Sequence, residues 1–129
     1  MKMYVNAAGD IRIKMFAAEA LDDLINEYLE DPPDGEMDSD MWHHMHMLST
    51  LWGYSMRDLR AASADMDDEQ YDRYLMRTVS VPCQLTERDM SAIRMLVMLM
   101  RDELWNKNEA SRADAEIVAS VLGGFDARL

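Results

Sequence analysis

Apolar residues recur at three- and four-residue spacing through residues 86–107. Met90, Ile93, Leu96, Val97, Met100 and Leu104 fall on one side of a helix. Thr86, with Asp89 three positions on, can satisfy the first free N–H groups, and Leu85 and Met90 are spaced to staple the helix start. Met95, Met98, Leu99 and Trp105 lie outside that arc. A helix apolar nearly all round is either a core helix or has a second face covered by a partner. The pattern predicts a central helix over 87–107 and makes it the expected most buried element. Arg94 and Arg101 border its apolar arc and need carboxylates nearby.

Residues 17–30 carry the cleanest amphipathic pattern. Ala20, Leu21, Leu24, Ile25, Tyr28 and Leu29 share one side, and Glu19, Asp22, Asp23, Glu27 and Glu30 the other. Pro32 and Pro33, followed by Asp34 and Gly35, end that helix because neither proline can donate a hydrogen bond. A second helix is predicted after Asp38 or Ser39. Met41, Met45, Leu48 and Trp52 form its inner face, Gly53 is its expected stop, and Ser55 caps a short continuation to Ala62. Asp65 is the expected cap of a short helix carrying Met66, Tyr71, Tyr74 and Leu75. Ser111 with Asp114 is the expected cap of a last one, with Ala115, Val118, Val121 and Leu122 inward and Gly123 and Gly124 at its end.

Strand-like alternation is confined to two places. Residues 1–16 read as a β-hairpin, with Met3 and Val5 on one arm, Ile11, Ile13 and Met15 on the other, and Ala7–Asp10 turning between them. Residues 77–82 form a candidate third strand, with Pro82 restricting it to an edge or a terminus. The fold class expected is mainly α with a small β element: one domain in which the hairpin packs on a bundle of about five helices around the central one.

Charge adds more to this picture than composition does. Half of the 129 residues are apolar, enough for one core despite a formal net charge of −12. Ten acidic residues, Glu19, Asp22, Asp23, Glu27, Glu30, Asp31, Asp34, Glu36, Asp38 and Asp40, lie between Met15 and Met56 with no Lys or Arg among them. Residues 15–72 hold sixteen acids against two arginines, whereas the rest holds nine acids against eleven basic residues. Glu19, Asp23 and Glu27 repeat at four-residue spacing, where each like-charge pair costs roughly 0.2–0.5 kcal/mol. Such a face either serves solubility or meets a basic partner, and carboxylates one helical turn apart can stand in for a phosphate backbone. In composition and size the chain resembles the small acidic inhibitors that phages make against host defence nucleases, anti-CRISPR proteins among them. The resemblance is one of class and rests on no motif. Direct nucleic-acid binding is not expected, because the chain has no basic patch.

The remaining signals are weaker. His43 and His46, three apart with Met47 beside them, invite a metal reading and with it a metal-dependent enzyme. Their projection onto a polar helix face beside Thr50 argues instead for a solvated pair, so no metal or other cofactor is expected. Cys83, the single cysteine, precedes a helix start that could lower its pKa, and is read as a small buried residue at a strand end. The acidic runs 34–40 and 65–69 lack the ligand spacing of a calcium loop. No triad, phosphate loop or metal motif points to an enzyme. The apolar run 95–100 is too short to span a bilayer, and with no leader-like start the expected location is cytoplasmic. The expectation is therefore a non-catalytic acidic binding protein, an inhibitor of a basic, nucleic-acid-binding surface, with the ten acidic residues as its site. The alternative is a helical homo-oligomer that pairs through spare apolar residues of the central helix, with charge serving solubility.

Overall fold

The computed structural model describes residues 11–31 and 39–125. Among these are five α-helices and a two-stranded antiparallel sheet, which bears out the expected class, mainly α with a small β element. The first arm of the expected hairpin and its turn, and the Pro-Pro stop, lie outside the described residues. The second arm is strand β1 (Ile11–Lys14), with Ile11 and Ile13 inward and Arg12 outward. It pairs with β2 (Thr78–Val81), the candidate third strand, in the register Ile11 to Val81 and Lys14 to Thr78. Ile13 also bridges Phe125, so at that residue both edges of β1 are occupied.

Helix α1 (Met15–Glu30) follows β1 without a loop, two residues earlier than its pattern suggests. Lys14 gives no side-chain cap. Instead the Met15 N–H donates to the carbonyl of Arg77 (2.9 Å), and Lys14 Nζ donates to that of Met76 (3.0 Å). The chain leading into β2 thus satisfies one of the free N–H groups at the helix start, that of Met15. Eight of the sixteen residues of α1 are buried, against six of twenty-one in α4 (Glu87–Lys107). The most buried helix is therefore α1, which corrects the expectation for 87–107, although α4 does contact α1, α2 and α5.

Helix α2 (Ser39–Ser63) is one unbroken rod of 25 residues, so Gly53 is not its stop and Ser55 not a cap. Ser55 Oγ bonds back to the Leu51 carbonyl (2.7 Å) and reaches that of Pro82 (3.2 Å). Gly53 stays within the helix and lies beside α1: a Cβ there would sit in ordinary contact, 3.6 Å from an Asp22 carboxylate oxygen. Met41, Met45, Leu48, Trp52 and Met56 form the inner face, and the Trp52 indole donates to the Ala18 carbonyl of α1 (3.0 Å).

Helix α3 (Asp68–Leu75) is capped by Asp67, two residues beyond the expected Asp65. Gln70, three residues after Asp67, returns the bond and completes a capping box. Thr86 and Asp89 form the box predicted for α4, and Leu85 and Met90 are both buried. At the start of α5 (Arg112–Ser120) the cap is Asn108 rather than Ser111. The Asn108 side chain accepts from the Ser111 N–H (2.9 Å) and opens a 3₁₀ turn, Glu109–Ser111, ahead of the helix. After α5, Gly124 passes so close to α1 that a Cβ would lie 2.3 Å from the Cβ of Ala17, which is why only glycine fits.

Candidate interaction surface

The ten acidic residues do not form one face. Asp22 turns inward from α1 and is nearly buried, with one carboxylate oxygen 2.6 Å from Arg60 Nη2 on α2. Its assignment to the exposed side of α1 is therefore corrected: Leu21, Asp22 and Ile25 all fall within the arc that faces α2 and α4. Burial pushes the Asp22 carboxyl above its usual range, Arg60 offsets part of this, and Asp23 adds to it. Glu19 is half-buried and accepts the hydroxyl hydrogen of Tyr71 on α3. That bond, with burial, raises the phenol to about 12. Two of the ten thus hold helices together.

Asp23, Glu27, Glu30 and Asp31 remain on the outer side of α1, all exposed. Asp23 and Glu30 are seven residues apart, roughly 10 Å along the axis. None of these four ion-pairs with a cation among the described residues. Among the described residues Arg73 ion-pairs with Glu69 alone (3.7 Å) and Arg101 with Asp102 alone (2.9 Å), so neither compensates the described part of α1. Asp40 is exposed at the start of α2, in a different place. Asp34, Glu36 and Asp38 lie outside the described residues.

Asp40 belongs to an open groove of about 400 Å³ between α2 and the start of α4, lined also by His43, His44, Met47, Arg88 and Asp89. Sequence reasoning missed the contact that closes its floor. His44, rather than His43 or His46, is the partnered histidine, with its Nε2 2.7 Å from Asp89 Oδ1. Burial works to raise the Asp89 carboxyl, but the Thr86 N–H, His44 and the Thr86 hydroxyl outweigh it and hold the group below its usual value. The capping box could have signalled this, since its carboxylate has a second oxygen free to accept. His43 and His46 are exposed and pack their rings against Trp42 (centroids 5.5 and 5.1 Å apart). Among the described residues no three His, Cys, Asp or Glu side chains converge as metal ligands. Cys83 is buried just after β2, and burial raises its thiol rather than the helix start lowering it.

Compared with known proteins, the chain matches no family model, no curated protein and no solved structure. No described helix is long and apolar enough to cross a membrane.

The Asp22–Arg60 pair makes a testable claim about stability. Arg60→Ala should cost about 1–3 kcal/mol at neutral pH, less than the loss of one partner from a fully buried pair because Arg60 is half exposed. With Arg60 gone, the folded pKa of Asp22 rises further above the unfolded one. The folded state then takes up the proton first, so the deficit is largest above that folded pKa and shrinks as pH falls through it. Urea midpoints of both proteins measured from pH 8 to pH 5 check this, and a deficit independent of pH would show that Asp22 does not carry it.

Proposed function

We propose that this chain is a non-catalytic protein-binding module that docks its acidic α1 face on a basic surface of another protein. The observation that carries the reading is a contrast within one helix. Where a carboxylate serves the fold it has a partner: Asp22 has Arg60 and Glu19 has Tyr71. Asp23, Glu27, Glu30 and Asp31 carry like charges at helical spacing, exposed, with no ion pair among the described residues. Each such repulsion costs a few tenths of a kcal/mol, and a basic partner would turn it into attraction. A basic surface able to accept a row of carboxylates is chemically one that holds a phosphate backbone, so the module would act as an inhibitor of a nucleic-acid-binding protein. That agrees with its compositional resemblance to acidic phage inhibitors. Asp34, Glu36 and Asp38 join the proposed surface by sequence position, and Asp40 lies beyond it on α2.

The test is a pull-down from the native host at low and high salt, with the eluted partner then titrated in purified form. Binding should weaken steeply with salt and compete with nucleic acid. Asp23→Lys with Glu27→Lys should leave the thermal midpoint unchanged or slightly raised, and should reduce association chiefly through its rate. The same reversal at Glu109 and Glu116, exposed near and on α5, should do much less. Equal loss from both pairs, or loss from neither, would remove the support for this surface.

A further inference from the structure

Helix α4 leaves a second face uncovered. Met95 is 56% exposed, and Met98 and Leu99 are exposed beside it. Arg88 and Asp102 are exposed on the same side, seven residues before and seven after Met95. At 3.6 residues per turn, positions 88, 95 and 102 lie within roughly 20° of one line down the helix. This outward line therefore reads cation, thioether, anion, with equal spacing of about 10 Å on either side of the centre.

We infer that this face binds a second copy of the chain, α4 against α4 and antiparallel, with the two-fold axis at Met95. A two-fold contact must be self-complementary: what residue i meets, its symmetry mate meets in return. Antiparallel pairing about Met95 sets Arg88 opposite the second copy's Asp102 and Asp102 opposite its Arg88. Met98 and Leu99 then flank the axis in both copies and supply apolar contact between the two charge pairs. A shallow crossing near 20° keeps both ends within reach of the arginine side chains.

The placement of these charges supports the same reading. Arg88 sits in the first turn of α4, against the preference of the helix dipole. Among the described residues Asp102 ion-pairs with the adjacent Arg101 alone, in an exposed contact that gives little to the fold. The exposed apolar stripe of α2, Met47, Leu51 and Tyr54, has no comparable symmetric charges: Arg57 already lies over the Tyr54 ring, and His44 is bound to Asp89. One helix face makes a small interface, so the dimer should be weak and visible only as concentration rises.

The charges also provide a test that a misfolded variant cannot imitate. Arg88→Asp improves the match to the helix dipole and Asp102→Arg is an exposed change, so neither should harm the fold, but each sets like charges across both ends of the dimer. Sedimentation over a concentration series should show each single variant associating roughly tenfold more weakly, or worse. The double variant, with the charges exchanged, should recover to within roughly threefold of the original. Met95→Asp should give a folded monomer by circular dichroism. The inference is overturned by a wild-type protein that stays monomeric throughout, by a dimer insensitive to Met95→Asp, or by a double variant as weak as the singles. A dimer lost on Met47→Asp but not on Met95→Asp would assign the interface to α2 and overturn it equally.

Discussion

Trp52→Ala is expected to bring the protein close to its unfolding limit. The side chain is completely buried on α2, against α1, and its indole N–H reaches the Ala18 carbonyl at 3.0 Å. Truncation removes the largest fully buried side chain among the described residues and opens a cavity the surrounding helices can only partly fill. Such changes cost about 3–5 kcal/mol. The lost hydrogen bond is the smaller part, about 0.5–1.5 kcal/mol, because the Ala18 carbonyl lies inside a helix and keeps its backbone partner. A domain of this size has only about 5–15 kcal/mol in all. Trp52→Phe, which keeps an aromatic ring but not the donor, should fall between the two. Urea unfolding followed by circular dichroism reads this, with the slope unchanged and the midpoint sharply lower. A midpoint within the error of the original would show that Trp52 does not join α1 to α2.

What the chain made legible in advance is what local chemistry decides. The Thr86–Asp89 box starts α4 where its own side chains place it. The alternation at Ile11 and Ile13, and again at Thr78–Val81, is enough to make two strands, and among the described residues these two runs pair with each other. Gly53 looks like a helix stop, but a single glycine costs a helix only about 1 kcal/mol and α2 runs through it. Two of the other misreadings share one cause: a distant group overrode the local signal. Met15 looks like a strand residue, but the Arg77 carbonyl lets the helix begin on it. Asp22 has the spacing of a surface residue, and an arginine 38 positions away makes its burial tolerable. The same holds for the candidate site. Charge density along the chain singles out α1, but could not separate carboxylates bound to the fold, Glu19 and Asp22, from those exposed to solvent, Asp23, Glu27, Glu30 and Asp31. Asp67 and Asn108 are different, because both were competing local caps, and a carboxylate–glutamine pair and an asparagine side chain beat the nearer candidates.

Met100→Asp and Met98→Asp, two residues apart on α4, should have opposite consequences. Met100 is buried with Ile93, Leu96 and Val97, whereas Met98 is 42% exposed on the other side. A carboxylate at position 100 would lose its water and find no designed partner, a cost of several kcal/mol unless the group takes up a proton. The variant should therefore be largely unfolded at neutral pH and recover some structure in mild acid, where the neutral carboxyl is cheaper to bury. At position 98 the carboxylate stays hydrated, and the change in stability should be within about 0.5 kcal/mol, as for ordinary surface substitutions. Thermal unfolding of the two variants in dilute solution isolates this difference from any association of copies. A normal midpoint for Met100→Asp would remove that residue from the core. An unfolded Met98→Asp would mean that the face assigned to solvent and to a second copy is in fact packed within the chain. Because the same helix supplies both faces, this pair of measurements separates what α4 does for the fold from what it is free to do outside it.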